Sequence, residues 1–333
     1  VELAFAGDVH GYFHFIPDSF RPRHKMPNFL DLAGARTAGV RAILDEAHRR
    51  KAARAGAPHG QADSDAPLAG HVLAMIFEKP STRTRFSFDM AMRQLGGTCI
   101  VTSAGEMQLG RGETVEDTAR VLGRLVDAIM IRTNSHATLE QLAENAGVPV
   151  INALTDISHP CQVMADIMTF EERSGRAVAG STWAYLGDGN NMANSLIEAA
   201  SVLGFDLRLG VPHGYDPDQA VIATACARGG SIDLLRNAAA AVEDADVVVT
   251  DTWVSMGQAD SKDKIAAMMP FQVTAPLMAK AGPDALFLHC LPAHRGEEMT
   301  AEVIDGPQSA VWDEAENRLH VQKAILLWCF GRL

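Results

Sequence analysis

Residues 76–97 read IFEKPSTRTRFSFDMAMRQLGG, and the fold follows from how that stretch divides. It opens on the end of an apolar run, Val72, Leu73, Met75, Ile76 and Phe77, which fits a buried strand, and Pro80 breaks the run. Ser81, Thr82, Arg83, Thr84 and Arg85 then open a helix whose Phe88, Ala91, Met92 and Leu95 fall on one face at i, i+3, i+4 and i+7. A helix N-terminus carries unpaired N–H groups and the positive end of the helix dipole, so it suits an anion. Here three hydroxyls and two guanidiniums crowd into that first turn. An ordinary N-cap beside solvated arginines would use the same residue types. The position directly after a buried strand, with so many donors, favours a phosphate cradle.

Strands and helices alternate outward from this stretch. Before it lie a short entry and a helix within 27–54, then an aperiodic connection over 55–70. After it come a strand over 99–103, a glycine-interrupted loop over 104–113, and a helix capped by Thr114 running through Ala119, Leu122 and Leu125. A strand over 128–132 ends on Arg132, followed by a helix over 139–145, a strand over 148–152 and a helix over about 162–174. The pattern restarts after 175–180 with a strand over 183–186, a helix over 193–202, and strands over 206–211, 246–250 and 285–290. A last helix, 314–333, presents Val321, Ala324, Ile325 and Trp328 at helical spacing and suits packing back across both halves. This predicts an α/β chain of two doubly wound parallel-sheet domains linked by helices, over 26–170 and 175–316, with 317–333 returning to the first. Ligands of such sheets sit beyond the strands' carboxyl ends, where Arg132, His159, Asn191, Asp251 and Cys290 all fall.

The totals agree with a two-domain enzyme. A chain of 333 residues exceeds one ordinary core, and 47% hydrophobic with 21% charged residues is usual for a globular protein. A net charge of −12 argues against a broad nucleic-acid surface, so any phosphate must be small and locally held. No apolar run approaches the ~20 residues of a membrane span. Five scattered cysteines with no C-x-x-C pair suit a reducing cytoplasm and argue against a structural zinc site. Residues 1–25 lack the order of a secretory signal, and the natural start is expected at Met26, with the preceding residues a mis-called or appended extension.

The strand ends carry the chemistry. Arg83, Arg85 and Arg132 offer bidentate, charge-assisted bonds to phosphate oxygens, although an arginine at a strand end also serves as an ordinary surface or pairing residue. His159, Pro160, Cys161 and Gln162 place an imidazole and an amide at a turn before a helix, where both can bind a planar carbonyl and amide. Gly187-x-Gly189 resembles a dinucleotide fingerprint, but Met192 replaces its third glycine, and no P-loop exists. Asp251 can hold an ammonium, and the loop at Gly257 can move over a ligand. His289 and Cys290 are neighbours on a strand and point to opposite faces, so His289 does not activate Cys290, which lines the pocket instead.

Together Ser-Thr-Arg-Thr-Arg (81–85), His-Pro-Cys-Gln (159–162), Asp-Thr-Trp-Val-Ser-Met-Gly (251–257) and His-Cys-Leu-Pro (289–292) resemble the ornithine carbamoyltransferases of the aspartate/ornithine carbamoyltransferase family. The resemblance spans about residue 26 to the C-terminus. It implies a carbamoyl-phosphate domain and an ornithine domain, with active sites shared between subunits of a homotrimer or a multiple of trimers. It also implies carbamoyl transfer from carbamoyl phosphate to the δ-amine of L-ornithine in arginine biosynthesis, without metal or organic cofactor. Carbamoyl phosphate would meet Ser81, Thr82, Arg83, Thr84, Gln108, Arg132, His159, Pro160, Cys161, Gln162, Cys290, Leu291 and Arg318, with Gln108 reaching across a subunit boundary. Ornithine would meet Asn191, Asp251, Ser255 and Met256, and Arg132, His159 and Cys290 would stand at the reacting atoms. Arg85 is expected to brace the loop. An aspartate-specific member would carry a lysine in the 104–113 loop, which has none. N-acetylornithine, N-succinylornithine and putrescine enzymes are nearer alternatives, and a catalytically silent binding scaffold is a more distant one.

Overall fold

The computed structural model describes residues 26–103, 105, 107, 112–254 and 262–333. The expectations on 1–25, Gln108, Ser255, Met256 and Gly257 fall outside the described residues. The first half runs α1 (Leu32–Ala53), β1 (Val72–Phe77), α2 (Thr82–Gln94), β2 (Thr98–Ser103), α3 (Val115–Leu125), β3 (Ala128–Arg132), α4 (His136–Asn145), β4 (Val150–Leu154) and α5 (Pro160–Ser174). The second half begins β5 (Thr182–Leu186), α6 (Asn191–Leu203), β6 (Asp206–Gly210), α7 (Gln219–Ala227), β7 (Ser231–Leu235), α8 (Ala238–Val242) and β8 (Val247–Thr250). It continues through α9 (Lys262–Met268), α10 (Ala275–Met278), β9 (Leu286–His289), α11 (Ala301–Ile304) and α12 (Val311–Cys329).

Each half is a parallel sheet whose central strands are covered on both faces, in the order β2-β1-β3-β4 for the first and β7-β6-β5-β8-β9 for the second. Alternation along each strand divides the side chains between two helical layers. Leu73, Met75, Ala128 and Met130 join the large central core, while Ala74, Ile76, Ile129 and Ile131 turn toward α3 and α4. In the second sheet Trp183, Tyr185, Val247 and Val249 enter that same central core, and Ala184, Leu186, Val248 and Phe287 pack on the far side. One core therefore runs from sheet to sheet, with α12 inside it. Val321, Ala324, Ile325, Leu326 and Leu327 are buried, and the helix packs on α1, α2 and α5 while touching β9.

The expected elements form with small shifts at their ends. β4 starts at Val150 because Pro149 has no N–H for the ladder, although its carbonyl accepts from Ile129. Leu125 does not face inward with Ala119: it is 70% exposed. Gly189 needs no dinucleotide to explain it. A Cβ there would lie 2.2 Å from Pro217 N, so the close approach of 215–217 demands glycine.

Candidate active site

Each sheet reverses strand order once, and the site lies across those two switch points. In the first sheet β1 leads to β2 on one side while β3 lies on the other, so the β1–α2 turn and the end of β3 share a crevice. Arg132 is registered against Phe77, and its carbonyl accepts from Glu78 N–H at 2.9 Å, which ties the turn to the strand end. Ser81 caps α2 by accepting from Thr84 N–H at 3.4 Å. Thr82 and Arg83 then begin the helix with N–H groups that have no intrahelical acceptor.

Thr84 is fully buried, and its hydroxyl accepts from Ser81 Oγ at 3.0 Å and from Arg318 Nη2 at 2.8 Å. Both lone pairs are then occupied, leaving the hydroxyl proton to donate elsewhere. Arg83 makes no side-chain hydrogen bond or ion pair with a described residue, and the buried Nε atoms of Arg132 and Arg318 have no partner among the described residues. Burial, then the charge of Arg318, pushes the Arg132 guanidinium down to about 10. Burial, followed by Arg318, Arg132 and Arg83, holds the His159 imidazole well below its ordinary range. His159 is therefore neutral at physiological pH, surrounded by cations and with Nδ1 unpartnered among the described residues. Its backbone N–H donates to Ser195 Oγ at 2.7 Å, so α6 of the second half fixes the turn.

Three residues behave differently from their expected roles. The Cys161 thiol points into the core, donates to the Asn152 carbonyl at 3.3 Å and is pushed up to about 12 by burial, leaving only its backbone for a ligand. Pro160 is likewise buried at the first position of α5. Arg85 is exposed and makes no side-chain bond to a described residue, so the bracing expected of it is not seen.

The second sheet's switch lies between β5 and β8. Asn190 caps α6 through its oxygen, and its Nδ2 donates across the switch to Asp251 Oδ2 at 2.7 Å. Asp251 Oδ1 accepts from the Cys290 thiol, also at 2.7 Å. Burial, and then Asp251, drives the thiol well above its usual range, so Cys290 is a neutral donor and not a thiolate. His289 turns the other way, toward buried Glu298 at 3.1 Å, and accepts from Leu291 N–H at 2.9 Å. Leu291 has a left-handed φ of 58° and is half-buried beside the crevice. Asn191 Nδ2 reaches the first half, donating to the Thr155 carbonyl at 2.7 Å. Among the described residues, His294, Glu297 and Glu298 carry ligand atoms within 4.8 Å of one another, but Glu298 Oε1 is already held by the His294 N–H at 2.6 Å.

Two site residues escaped the sequence reading. Asp166 and Glu314 are buried behind Gln162, and each accepts from its amide. Asp166 had a visible signal, one acid within the apolar helix segment Val163–Phe170. Glu314 had none, because it stands among Asp313, Glu316 and Arg318, a run that reads as a solvated face.

This geometry defines a two-domain α/β protein in which Arg83, Arg132 and Arg318 gather around His159 at one switch point and Asp251 stands at the other. Residues 27–172 match the model of the "Aspartate/ornithine carbamoyltransferase, carbamoyl-P binding domain", and residues 179–329 match the "Asp/Orn binding domain" of the same family. The chain belongs to the aspartate/ornithine carbamoyltransferase family. More particularly, it is 68% identical to an ornithine carbamoyltransferase of Rhizorhabdus wittichii over 92% of this chain and 99% of that one. It is 56% identical to an ornithine carbamoyltransferase of Caulobacter vibrioides over 94% of this chain and 99% of the relative. Among solved structures, the ornithine carbamoyltransferase of Pyrococcus furiosus superposes with a TM-score of 0.86 at 49% identity, covering 92% of this chain and 97% of the other.

Proposed function

We propose that the protein transfers the carbamoyl group of carbamoyl phosphate to the δ-amine of L-ornithine, giving L-citrulline and phosphate. The observation that carries this is the convergence of Arg83, Arg132 and Arg318 around neutral His159 at the start of α2. Like charges gathered with unpartnered donors favour an anion. The phosphate takes the first-turn N–H groups with Ser81, Thr82, Arg83 and Thr84, and Arg132 adds charge. Gln108 and Arg318 complete the carbamoyl-phosphate contacts, with the backbones of Pro160, Cys161, Cys290 and Leu291 beside the carbamoyl group. Asn191, Asp251, Ser255 and Met256 hold the amino-acid end of ornithine.

The chemistry needs a neutral amine, whose solution pKa lies near ~10.4 for an alkylammonium. Three cations nearby disfavour a fourth and push that amine toward its neutral form. Its nitrogen attacks the carbonyl carbon. The charge that builds on the carbonyl oxygen meets Arg132, the neutral His159 and the Thr84 hydroxyl proton as an oxyanion site. The C–O bond to phosphate then breaks, and the amine's surplus proton passes to the departing phosphate oxygen. No covalent enzyme intermediate forms, in keeping with Cys290 as a protonated donor.

The setting we propose is arginine biosynthesis in the cytoplasm; five cysteines with no disulfide among them support a reducing compartment. Self-association as a homotrimer is supported by apolar side chains left exposed on the first half: Phe86, Ile100, Val121 and Leu125. Sedimentation equilibrium should return three times 35.7 kDa, or a multiple of that trimer. The decisive assay offers carbamoyl phosphate with ornithine, N-acetylornithine, N-succinylornithine or putrescine. Equimolar citrulline and phosphate from ornithine alone is the expected result. Preference for another amine would reassign the substrate, and no phosphate release with any amine would leave a silent scaffold.

A further inference from the structure

Two carboxyl groups lie behind the acyl end of the crevice, and the mechanism above makes no use of them. Asp166 on α5 is 0% exposed and Glu314 in the first turn of α12 is 1% exposed. The side-chain amide of Gln162 lies between them. Its Nε2 donates to Asp166 Oδ1 at 2.9 Å and to Glu314 Oε1 at 2.6 Å. Those two bonds use both protons of the amide. A flipped amide would set its oxygen against two carboxyl oxygens, so the group has one permitted orientation. Oε1 consequently faces the other way, where it accepts from Arg318 Nη1, and Arg318 continues the chain to Thr84. The second oxygen of Glu314 accepts from His289 N–H at 2.8 Å, the residue before Cys290, so the pair also ties the end of β9 to α5 and α12.

Two adjacent buried carboxylates would repel, and burial itself opposes ionisation. Burial, then the charge of Asp166, holds Glu314 well above the usual carboxylate range, and burial raises Asp166 as well. One proton shared between them leaves a single negative charge to balance Arg318 through the neutral amide.

We propose that Asp166 and Glu314 are positioning residues that lock Gln162 so that its oxygen meets the substrate. They thereby select an acyl phosphate bearing an NH₂ donor over one bearing a methyl group. The inference rests on the carbamoyl transfer proposed above. Acetyl phosphate is the probe, because it replaces the carbamoyl NH₂ by CH₃ and keeps the carbonyl and the phosphate.

The experiment compares kcat/KM for carbamoyl phosphate with the inhibition constants of acetyl phosphate and inorganic phosphate, in wild type, Asp166→Asn, Asp166→Leu and Glu314→Gln. In Asp166→Leu the carbamoyl phosphate value should fall about 100-fold while both inhibition constants stay within about threefold. Asp166→Asn should remain within about fivefold of wild type, since its amide oxygen still accepts from Gln162 and the pair carries no more than one charge. Glu314→Gln presents one oxygen where both His289 N–H and Gln162 need an acceptor, and should lose about tenfold or more, again only for carbamoyl phosphate. If Asp166→Leu fails to fold, Glu314→Gln decides. Parallel losses for carbamoyl and acetyl phosphate, or an Asp166→Asn as damaged as Asp166→Leu, would overturn the proposal. A wild type that turns over no carbamoyl phosphate would instead refute the underlying function.

Discussion

The two ends of the crevice are built on opposite principles. At the first sheet, Arg83 and the Nε atoms of Arg132 and Arg318 hold donors with no acceptor among the described residues, and His159 is kept neutral in their midst. At the second sheet the polar groups answer one another: Asp251 already accepts from Asn190 and from Cys290, and Asn191 is bonded to Thr155. The end proposed for the anion is thus a cluster of cations with unused donors, whereas the end proposed for the amine is a hydrogen-bonded network that a ligand must join. Affinity for phosphate should depend steeply on single cations. Affinity for the amine should be shared among several weaker contacts.

Removing one cation is the sharpest way to break this contrast. Arg83→Ala should lower kcat/KM by about a thousandfold or more with an unchanged circular dichroism spectrum, because the lost contact is charge-assisted and made at the leaving group. Activity within about tenfold of wild type, a loss of only ~1.4 kcal/mol, would contradict the cradle.

On the other side, Asp251→Asn should raise the KM for ornithine about 10- to 100-fold while leaving that for carbamoyl phosphate nearly unchanged. An equal rise in both constants would mean that the two ends do not divide the substrates.

A third test lies away from the crevice, where α1 meets α5. His48 bonds Glu171 at 3.0 Å, and the hydrogen bonds its ring donates to Glu171 and Glu172 raise the imidazole to about 9. The folded state therefore holds that proton more tightly than the unfolded chain, whose value is near 6.5. This stabilisation is complete below about pH 6.5 and is lost as pH rises through about 9. His48→Gln should accordingly lower the melting temperature most at about pH 6 and hardly at all at about pH 10. A deficit independent of pH would show that His48 contributes packing alone.

Legibility in the sequence followed burial pattern. β1, β3 and β5 stand out as apolar runs because both their faces are covered, and α12 declares itself through Val321, Ala324 and Ile325. β7 escaped notice for the opposite reason: it is an edge strand with a mostly exposed pattern, and α7 and α8 beside it are short or weakly patterned. At the site, residues at strand ends announced themselves because turns with Arg, His or Asp after an apolar run are chemically conspicuous. The partners behind them did not. Glu314 meets Gln162 from 152 positions away, and nothing local distinguishes it from its solvated neighbours. Cys161 shows the converse: a residue inside a chemically rich motif can still turn its side chain into the core.

The division of the crevice is tested most directly by titrating inorganic phosphate calorimetrically into wild type, Arg83→Ala and Asp251→Asn. Phosphate should bind wild type and Asp251→Asn alike and lose its affinity for Arg83→Ala. Undiminished binding to Arg83→Ala, or an equal loss in Asp251→Asn, would contradict the account.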